Sequence, residues 1–118
     1  MQPTDHQLDR VFHALSDTTR RHILERIRSQ DETVNNLAMN FEISLPAVSK
    51  HLKVLEKAGL ISRRRDGQKR FCHVEPAMME SALQWLEYYQ SFWNSRLENL
   101  KTLLEQDGLS KPRSTEQQ

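Results

Sequence analysis

Five side chains that could contact nucleic acid lie on one face of a helical segment near the middle of the chain. They are small, polar or cationic: Ala47, Ser49, Lys50, His51 and Lys53. Hydroxyl, imidazole and ammonium groups form hydrogen bonds with base edges and phosphates, and a small side chain allows close approach to the bases. This face therefore suits DNA binding, although an ordinary amphipathic surface helix could carry the same residues.

The opposite face of this segment is apolar and predicts how the helix is held. Val48, Leu52 and Leu55 recur at spacings of four and three residues, which places them on one buried stripe. Ser44 precedes the segment as a good N-cap, and Pro46 lies just inside its start, where a missing N–H costs nothing. We interpret the segment as the second helix of a helix-turn-helix, the helix that enters the DNA major groove.

Basic residues are concentrated between positions 50 and 70. This segment contains eight Lys and Arg residues against Glu56 and Asp66, a net charge of +6. The whole chain carries +1, so the remainder carries −5. A basic segment on an otherwise acidic chain is typical of a nucleic-acid-binding face.

Length and composition limit the class of protein. A chain of 118 residues with 36% hydrophobic residues predicts one domain with one modest core. No run of about 18 apolar residues predicts a membrane span, and no signal peptide is evident, so we expect a cytoplasmic protein. Cys72 is the only cysteine, which excludes an intrachain disulfide and a cysteine metal cluster.

Three helices are predicted before the recognition segment. Apolar residues at helical spacing predict helices at 5–15 and 18–28, and Thr33 can cap a shorter helix that ends at Phe41. Residues 30–32 are expected to form a loop. On the second helix we expect four arginines to face solvent, from where the first two could reach a phosphate. They are Arg20, Arg21, Arg26 and Arg28.

A basic β-hairpin is predicted directly after the recognition helix, which ends near Gly59. Strand-like runs at 60–65 and 69–75 are joined by an Asp-Gly pair, a hairpin signal. The tip of the hairpin is cationic through Arg63, Arg64, Arg65, Lys69 and Arg70. Such a hairpin in this place is typical of a wing that lies along the DNA backbone or minor groove; a merely solvated hairpin is the alternative.

Pro76 begins a long final helix that we expect to run to about residue 106. Apolar residues form a heptad-like seam along it: Met79, Ala82, Leu86, Tyr89, Trp93, Leu97, Leu100 and Leu104. A second stripe lies on another face: Met78, Trp85, Tyr88 and Phe92. We expect one side to contact its own domain and the other a second copy of the chain; the aromatic cluster could instead wall a ligand pocket.

These elements predict one domain over residues 1–106, followed by a polar, disordered tail at 107–118. The order of elements is two helices, a helix-turn-helix, a basic hairpin and a long helix. The fold class is therefore mainly α with a two-stranded β-wing, a winged helix-turn-helix.

Three stretches of the sequence resemble the ArsR family of winged-helix bacterial repressors. Residues 14–24 (ALSDTTRRHIL) are similar to the family's opening Ala-Leu-x-Asp-Pro-Thr-Arg-x-x-Ile-Leu, with Thr18 in place of proline. Residues 48–61 (VSKHLKVLEKAGLI) match the signature Ser-[Arg/Lys]-His-Leu-x-x-Leu-x-x-Ala-Gly-Leu-[Val/Ile]. Residues 85–97 (WLEYYQSFWNSRL) are similar to a subgroup with a Phe-Trp pair in its final helix.

The resemblance implies a homodimeric autorepressor that binds an inverted repeat of double-stranded DNA in its own promoter. The DNA-binding positions that it implies are Pro46, Ala47, Ser49, Lys50, His51, Arg64, Arg65 and Lys69, with His51 near a phosphate. Lys53 is a further candidate from the polar face of the same helix. The dimer positions, on the first and last helices, are Leu8, Tyr89, Trp93, Leu97, Leu100 and Leu104. Members of the Phe-Trp subgroup are often encoded beside a small hydrophobic-ligand-binding protein of the START type, which implies a regulatory context but not an inducer. A small hydrophobic ligand or a protein co-regulator is a candidate partner.

The sequence departs from the family pattern at its metal sites. The Cys-Val-Cys metal site of many members reads Thr33-Val34-Asn35 here, and no histidine follows His73 to complete a site on the final helix. We therefore expect no metal and no cofactor, and we expect Cys72 to be a buried, inert thiol. The turn before the recognition helix also lacks the usual glycine, because Phe41 is followed by Glu42.

Two other classes of function are weaker alternatives. A winged-helix dimer that binds another protein, with little or no specific DNA binding, would not need a charge of +6 in one segment. An enzyme is not predicted, because no catalytic triad, paired-carboxylate motif, phosphate-binding loop or metal-ligand set stands out.

Overall fold

The computed structural model describes residues 3–107, which form five helices and three strands. In chain order these are α1 (Asp5–Leu15), α2 (Thr18–Ile27), β1 (Glu32–Thr33), α3 (Val34–Phe41), α4 (Leu45–Lys57), β2 (Ile61–Asp66), β3 (Lys69–Val74) and α5 (Pro76–Gln106). The chain divides into two units, Met1–Leu83 and Gln84–Gln118. The first unit holds the helix-turn-helix and the hairpin, and the second contains most of α5.

The predicted helix starts are confirmed by the side chains that cap them. Asp17 precedes α2 and accepts a hydrogen bond from the backbone N–H of Arg20, and Thr33 accepts one from the N–H of Asn36 before α3. Thr4 adds a cap that the pattern did not predict, because its hydroxyl and the side chain of Gln7 form a reciprocal capping box before α1. Each cap satisfies N–H groups that a helix start leaves without partners.

The core of the first unit is built around one face of α4. Val48, Leu52 and Leu55 are completely buried, as their spacing predicted. The largest side chains buried with them come from the neighbouring elements: Val11, Ile23, Ile27, Leu37, Leu60 and Cys72. Helix α4 contacts α1, α2, α3 and β2. Its remaining face is exposed to solvent.

The wing hairpin is present, and a third short strand extends it. Strands β2 and β3 pair antiparallel, and the pairing of Asp66 with Lys69 leaves a two-residue turn in which Gly67 has a φ of 66°. The loop predicted at 30–32 is wrong at its last residue, because Glu32 pairs with Cys72 and Thr33 with Phe71, so that β1 adds to the sheet in the order β1-β3-β2. Buried Glu32 also forms an ion pair of 3.5 Å with Arg26.

The prediction that Arg20 faces solvent is wrong. Its side chain is only 9% exposed, whereas Arg21, Arg26 and Arg28 are exposed as predicted. Arg20 shares the buried stripe of α2 with Ile23, three residues further along. A buried guanidinium requires hydrogen-bond partners, and it finds them in backbone carbonyl groups of α1.

Helix α5 runs from Pro76 to Gln106, as predicted. Its start belongs to the first unit, where Ala82 is buried and Met78 packs against the core. Its remainder belongs to the second unit, where no side chain up to Asp107 is fully buried. The predicted tail lies almost wholly outside the described residues, which end at Asp107.

The environment of Cys72 predicts its reactivity. Its side chain is completely buried in β3, and burial raises the pKa of the thiol to about 11. Because only the thiolate attacks a disulfide reagent, the native protein should not react with Ellman's reagent at pH 8, where about one thiol in a thousand would be ionised at that pKa. Unfolding in urea removes both the burial and the pKa shift, so one thiol per chain should then react. Full labelling of the native protein within minutes would contradict the buried, inert thiol.

Candidate nucleic-acid interface

In the turn before α4, Glu42 adopts a strained backbone conformation at the position where glycine is usual. Glu42 has a φ of 56°, in the left-handed region, and its backbone N–H reaches carbonyl groups at the end of α3. For a residue with a Cβ this conformation costs about 1–2 kcal/mol. The N–H of Ile43 bonds to the carbonyl of Ala38 at 3.2 Å, which closes the end of α3 and directs the chain into α4.

Local chemistry then fixes the start of α4. The Ser44 hydroxyl accepts a hydrogen bond of 3.2 Å from the N–H of Ala47, and Pro46 lies in the first turn. Both features were predicted from the sequence. The first turn of α4 therefore starts at a defined residue, which sets the angular position of every later side chain on the helix.

The predicted DNA-binding side chains of α4 divide into two groups by exposure. Pro46, Lys50 and Lys53 are exposed, whereas Ala47, Ser49 and His51 are partly buried. The two lysines can reach outward without breaking an interaction within the chain, because neither takes part in an ion pair or hydrogen bond among the described side chains.

His51 is held by other residues of the first unit. Its Nδ1 lies 3.3 Å from Nη1 of Arg20 and 3.8 Å from Oδ2 of Asp17. The hydrogen bond from the backbone N–H of Arg20 is the largest cause that lowers the pKa of Asp17, and the nearby charge of Arg20 lowers it further. Asp17 is therefore ionised at neutral pH, beside the imidazole ring.

Some cationic side chains of the wing are held by other residues of the chain, and others are open to solvent. Arg64 donates to Asp31 at 3.0 Å and lies over the ring of Phe71, with its guanidinium carbon 5.3 Å from the ring centroid. Arg65, Lys69 and Arg70 are exposed. Of the three predicted wing contacts, Arg65 and Lys69 thus lie open near the tip, whereas Arg64 is fixed beside β1.

Asp31 is an anchor of the wing that the sequence pattern did not reveal. Besides Arg64, it accepts a hydrogen bond of 2.9 Å from Nδ1 of His73. The bond from His73, followed by that from Arg64, lowers the pKa of Asp31. The residue was predicted as part of a loop, and no local pattern reports a partner that is 33 or 42 residues away.

A polar cleft of about 400 Å³ separates α4 from the wing. Its lining includes residues of α3, α4 and the hairpin: Asn35, Asn36, Leu45, Ser49, Arg63, Gln68, Lys69 and Arg70. Arg63 is mostly buried and pairs with Glu56 of α4 at 3.4 Å, which ties strand β2 to the helix. The two asparagines were missed as candidate contacts, because their place beside α4 depends on how the elements pack.

The predicted dimer residues lie in both units. Leu8, in the first unit, is partly buried against the core. In the second unit, Tyr89, Trp93, Leu97 and Leu100 are between 43% and 58% exposed, and Leu104 is partly buried. Aromatic rings stack along this helix, with Trp85 and Tyr89 centroids 5.3 Å apart, yet the side chains leave a large apolar surface open to solvent.

The described residues contain no group of three or more His, Cys, Asp or Glu side chains that could hold a metal ion. The five histidines of the chain are spread over α1, α2, α4 and β3. Between residues 3 and 107, no helix has the length and apolar character that crossing a membrane requires.

Comparisons with known proteins agree with this geometry. The sequence profile of the family described as bacterial regulatory protein, arsR family, matches residues 17–63. The chain is 35% identical over 79 residues to the transcriptional repressor SdpR of Bacillus subtilis, which covers 67% of this chain and 88% of that protein.

Solved structures are similar over most of the chain. An ArsR family transcriptional regulator, RHA00566, is 36% identical with a TM-score of 0.73, covering 80% of this chain and 98% of that one. A homodimeric winged helix-turn-helix DNA-binding domain from Mycobacterium bovis, Mb0332, is 23% identical with a TM-score of 0.58, covering 82% and 93%. At that identity the second likeness shows the winged helix-turn-helix fold alone.

Proposed function

We propose that this chain, which belongs to the ArsR family of bacterial transcriptional regulators, is a homodimeric repressor of its own gene. It binds an inverted-repeat operator in double-stranded DNA, in the cytoplasm, with residues 1–106 as its DNA-binding and dimerisation domain. The observation that carries the proposal is one cationic surface made by two elements. On α4, Lys50 and Lys53 are exposed, and Ser49 of the same helix lines a polar cleft that Lys69 and Arg70 of the wing also line.

Side-chain chemistry assigns different tasks to the two parts of this surface. Pro46, Ala47, Ser49 and Lys50 lie in the N-terminal half of α4, the part of a recognition helix that reaches base edges. The other proposed contacts are cationic or imidazole groups suited to phosphates: His51, Lys53, Arg64, Arg65 and Lys69. Arg64 can serve although Asp31 holds it, because a guanidinium has five N–H donors and Asp31 engages one end.

The second unit supports a homodimer because its helix has an apolar surface that the unit itself does not cover. Half-exposed Tyr89, Trp93, Leu97 and Leu100 follow a heptad-like seam, and burial of such side chains yields roughly 1.5–3 kcal/mol each. A two-fold pair of recognition helices would then read two half-sites of an inverted repeat. Leu8 on α1 is proposed to contribute to the same interface.

The repressor is proposed to be independent of metals. The Cys-Val-Cys position of metal-sensing relatives is occupied by Thr33, Val34 and Asn35, and the sole thiol is buried in β3. The regulatory context that the family resemblance implies makes a small hydrophobic ligand or a protein co-regulator the proposed further partner of this chain.

Zinc, cadmium and arsenite should leave the protein–operator complex intact. The operator duplex is first isolated by selecting tightly bound sequences from a random pool, and its affinity is then measured by fluorescence anisotropy with and without each metal. The expected change is less than about two-fold, since no described cluster can supply ligands. A large metal-induced release that persists after Cys72→Ser would reveal a metal site and overturn this part of the proposal.

Leu97→Glu should convert the dimer into monomers, because a carboxylate would be buried without a partner in the proposed interface. Sedimentation at micromolar concentration should show the change, and operator binding should weaken by more than about a hundred-fold because each half-site alone binds weakly. Leu103→Glu is the matched control, since Leu103 is equally exposed on the same helix but lies outside the seam. A wild-type monomer at this concentration would contradict the dimer.

Base reading and phosphate anchoring should separate by mutation. Ser49→Ala or Lys50→Ala should weaken operator binding by roughly five- to a hundred-fold but random DNA far less, because good base contacts discriminate by about 1–3 kcal/mol. Arg64→Ala with Arg65→Ala should weaken both, and should reduce the slope of log affinity against log salt by about one for each phosphate that the variant no longer binds.

The measurement is a set of binding isotherms on operator and scrambled duplexes at several salt concentrations. Arg28→Ala removes an exposed arginine that pairs with Glu25 on α2, away from the proposed surface, and should change neither quantity. An unchanged salt slope in the wing variant, or an unchanged specificity ratio in the Lys50 variant, would contradict this division of tasks.

A further inference from the structure

Arg20 is a buried charged residue that connects the end of α1 to α4, the proposed recognition helix. Its Nε donates to the carbonyl oxygen of Ala14 at 2.8 Å, and its Nη2 donates to the carbonyl oxygen of His13 at 3.1 Å. Both carbonyls lie in the last turn of α1, beyond the regular hydrogen bonds of the helix, and that of His13 also accepts from the backbone N–H and the hydroxyl of Ser16. With these two bonds the plane of the guanidinium is fixed, and its third nitrogen, Nη1, is directed at His51 on α4.

The contact between Arg20 and His51 favours one position for the imidazole proton. A guanidinium can only donate hydrogen bonds, so a bond from Nη1 to Nδ1 of His51, 3.3 Å away, forms in the tautomer in which Nδ1 accepts. In the neutral ring the proton then lies on Nε2. Among the described residues, the hydrogen bonds and ion pairs of His51 engage Nδ1 alone, and Nε2–H stays available as a donor.

Asp17 offers the competing arrangement, in which Nδ1 would carry the proton and donate to the carboxylate. The separation between His51 Nδ1 and Asp17 Oδ2 is 3.8 Å, beyond hydrogen-bond distance. The same Oδ2 already accepts the backbone N–H of Arg20 at 3.0 Å. The geometry therefore favours the bond from Arg20 over the bond to Asp17.

We propose that Arg20 is a positioning residue for DNA binding, which holds the His51 ring in its Nε2–H tautomer and in a fixed orientation so that this N–H can donate to a DNA phosphate. The inference rests on the proposed function, because it needs His51 on the DNA-facing surface. The planar fork of arginine suits this task, since one side chain bridges two carbonyls and an imidazole. Lysine has a single side-chain nitrogen, which cannot occupy the three positions from which Nε, Nη1 and Nη2 of Arg20 make these contacts.

The tautomer can be measured in the free protein, independently of DNA. Two-bond proton–nitrogen NMR spectra of protein labelled at histidine should show His51 in the Nε2–H form at pH 8. Arg20→Met should shift His51 toward a mixture of tautomers. Arg28→Met is the matched control, because exposed Arg28 at the end of α2 pairs with Glu25 without contacting His51.

Binding to the operator duplex tests whether the fixed tautomer and orientation of His51 matter for DNA binding. Arg20→Met should weaken binding about ten-fold, the effect of one hydrogen bond to a charged group, and Arg28→Met by less than about two-fold. His51→Asn keeps an acceptor toward Arg20 but lacks a donor at the Nε2 position, so its binding should weaken by about the same ten-fold. His51→Gln, with an amide nitrogen near that position, should restore part of the affinity.

A double-mutant cycle separates positioning from general support of the fold. Adding Arg20→Met to His51→Asn should cost less than about a further two-fold, because both changes remove one shared interaction. A purely structural Arg20 would instead give fully additive effects. If Arg20→Met does not fold, as judged by circular dichroism, Arg20→Lys replaces it, with the tautomer shift and a part of the reduction in affinity expected.

The outcomes are distinct. His51 in the Nδ1–H form in the wild type, an unchanged tautomer in the Arg20 variant, or additive effects in the cycle would each overturn the role of Arg20. Equal affinity of the wild type for operator and scrambled duplexes would overturn the proposed function itself, and this inference with it, whatever the NMR spectra show.

Discussion

Burial of one face of α4 is the constraint on which the rest of the structure depends. Val48, Leu52 and Leu55 are removed from solvent by contacts with α1, α2, α3 and β2, which stabilises the fold by roughly 1.5–3 kcal/mol per side chain. Because a helix is rigid, burying this face also determines which residues face outward. The position of Lys50 and Lys53 on the surface is therefore a consequence of core packing. The same packing that forms the core also orients the proposed DNA-binding face of α4.

The charges of the basic segment are arranged by a small number of fixed carboxylates. Glu56 holds Arg63 beside α4, and Asp31 holds both Arg64 and His73 beside β1. These pairs reduce the open positive charge of the wing but fix the strands against the body of the first unit. Arg65, Lys69 and Arg70 stay open at the tip. The surface thus combines cations held by carboxylates, which need little further ordering on binding, with exposed cations that are open to a phosphate backbone.

Local features of the sequence predicted the helices, the caps of α3 and α4, and the wing hairpin. They did so because capping and helical periodicity depend on residues three or four positions apart. Contacts between distant residues were missed, as with β1, whose two residues carry no pattern and pair with a strand some forty residues later. Arg20 was predicted wrongly on residue type, although its spacing of three and seven from Ile23 and Ile27 places it on the buried stripe. The assignment of individual side chains to DNA contacts stays a prediction, because it depends on a partner that the sequence does not contain.

A hydroxyl-radical footprint on the DNA upstream of the protein's own gene tests the central claim most directly. A two-fold pair of recognition helices with wings should protect two half-sites whose centres are about one helical turn, or a whole multiple of it, apart. Protection should appear at concentrations well below those that coat random DNA. The absence of any protected segment before general coating would contradict a sequence-specific repressor of its own gene. A single half-site protected without its repeat would contradict the dimer.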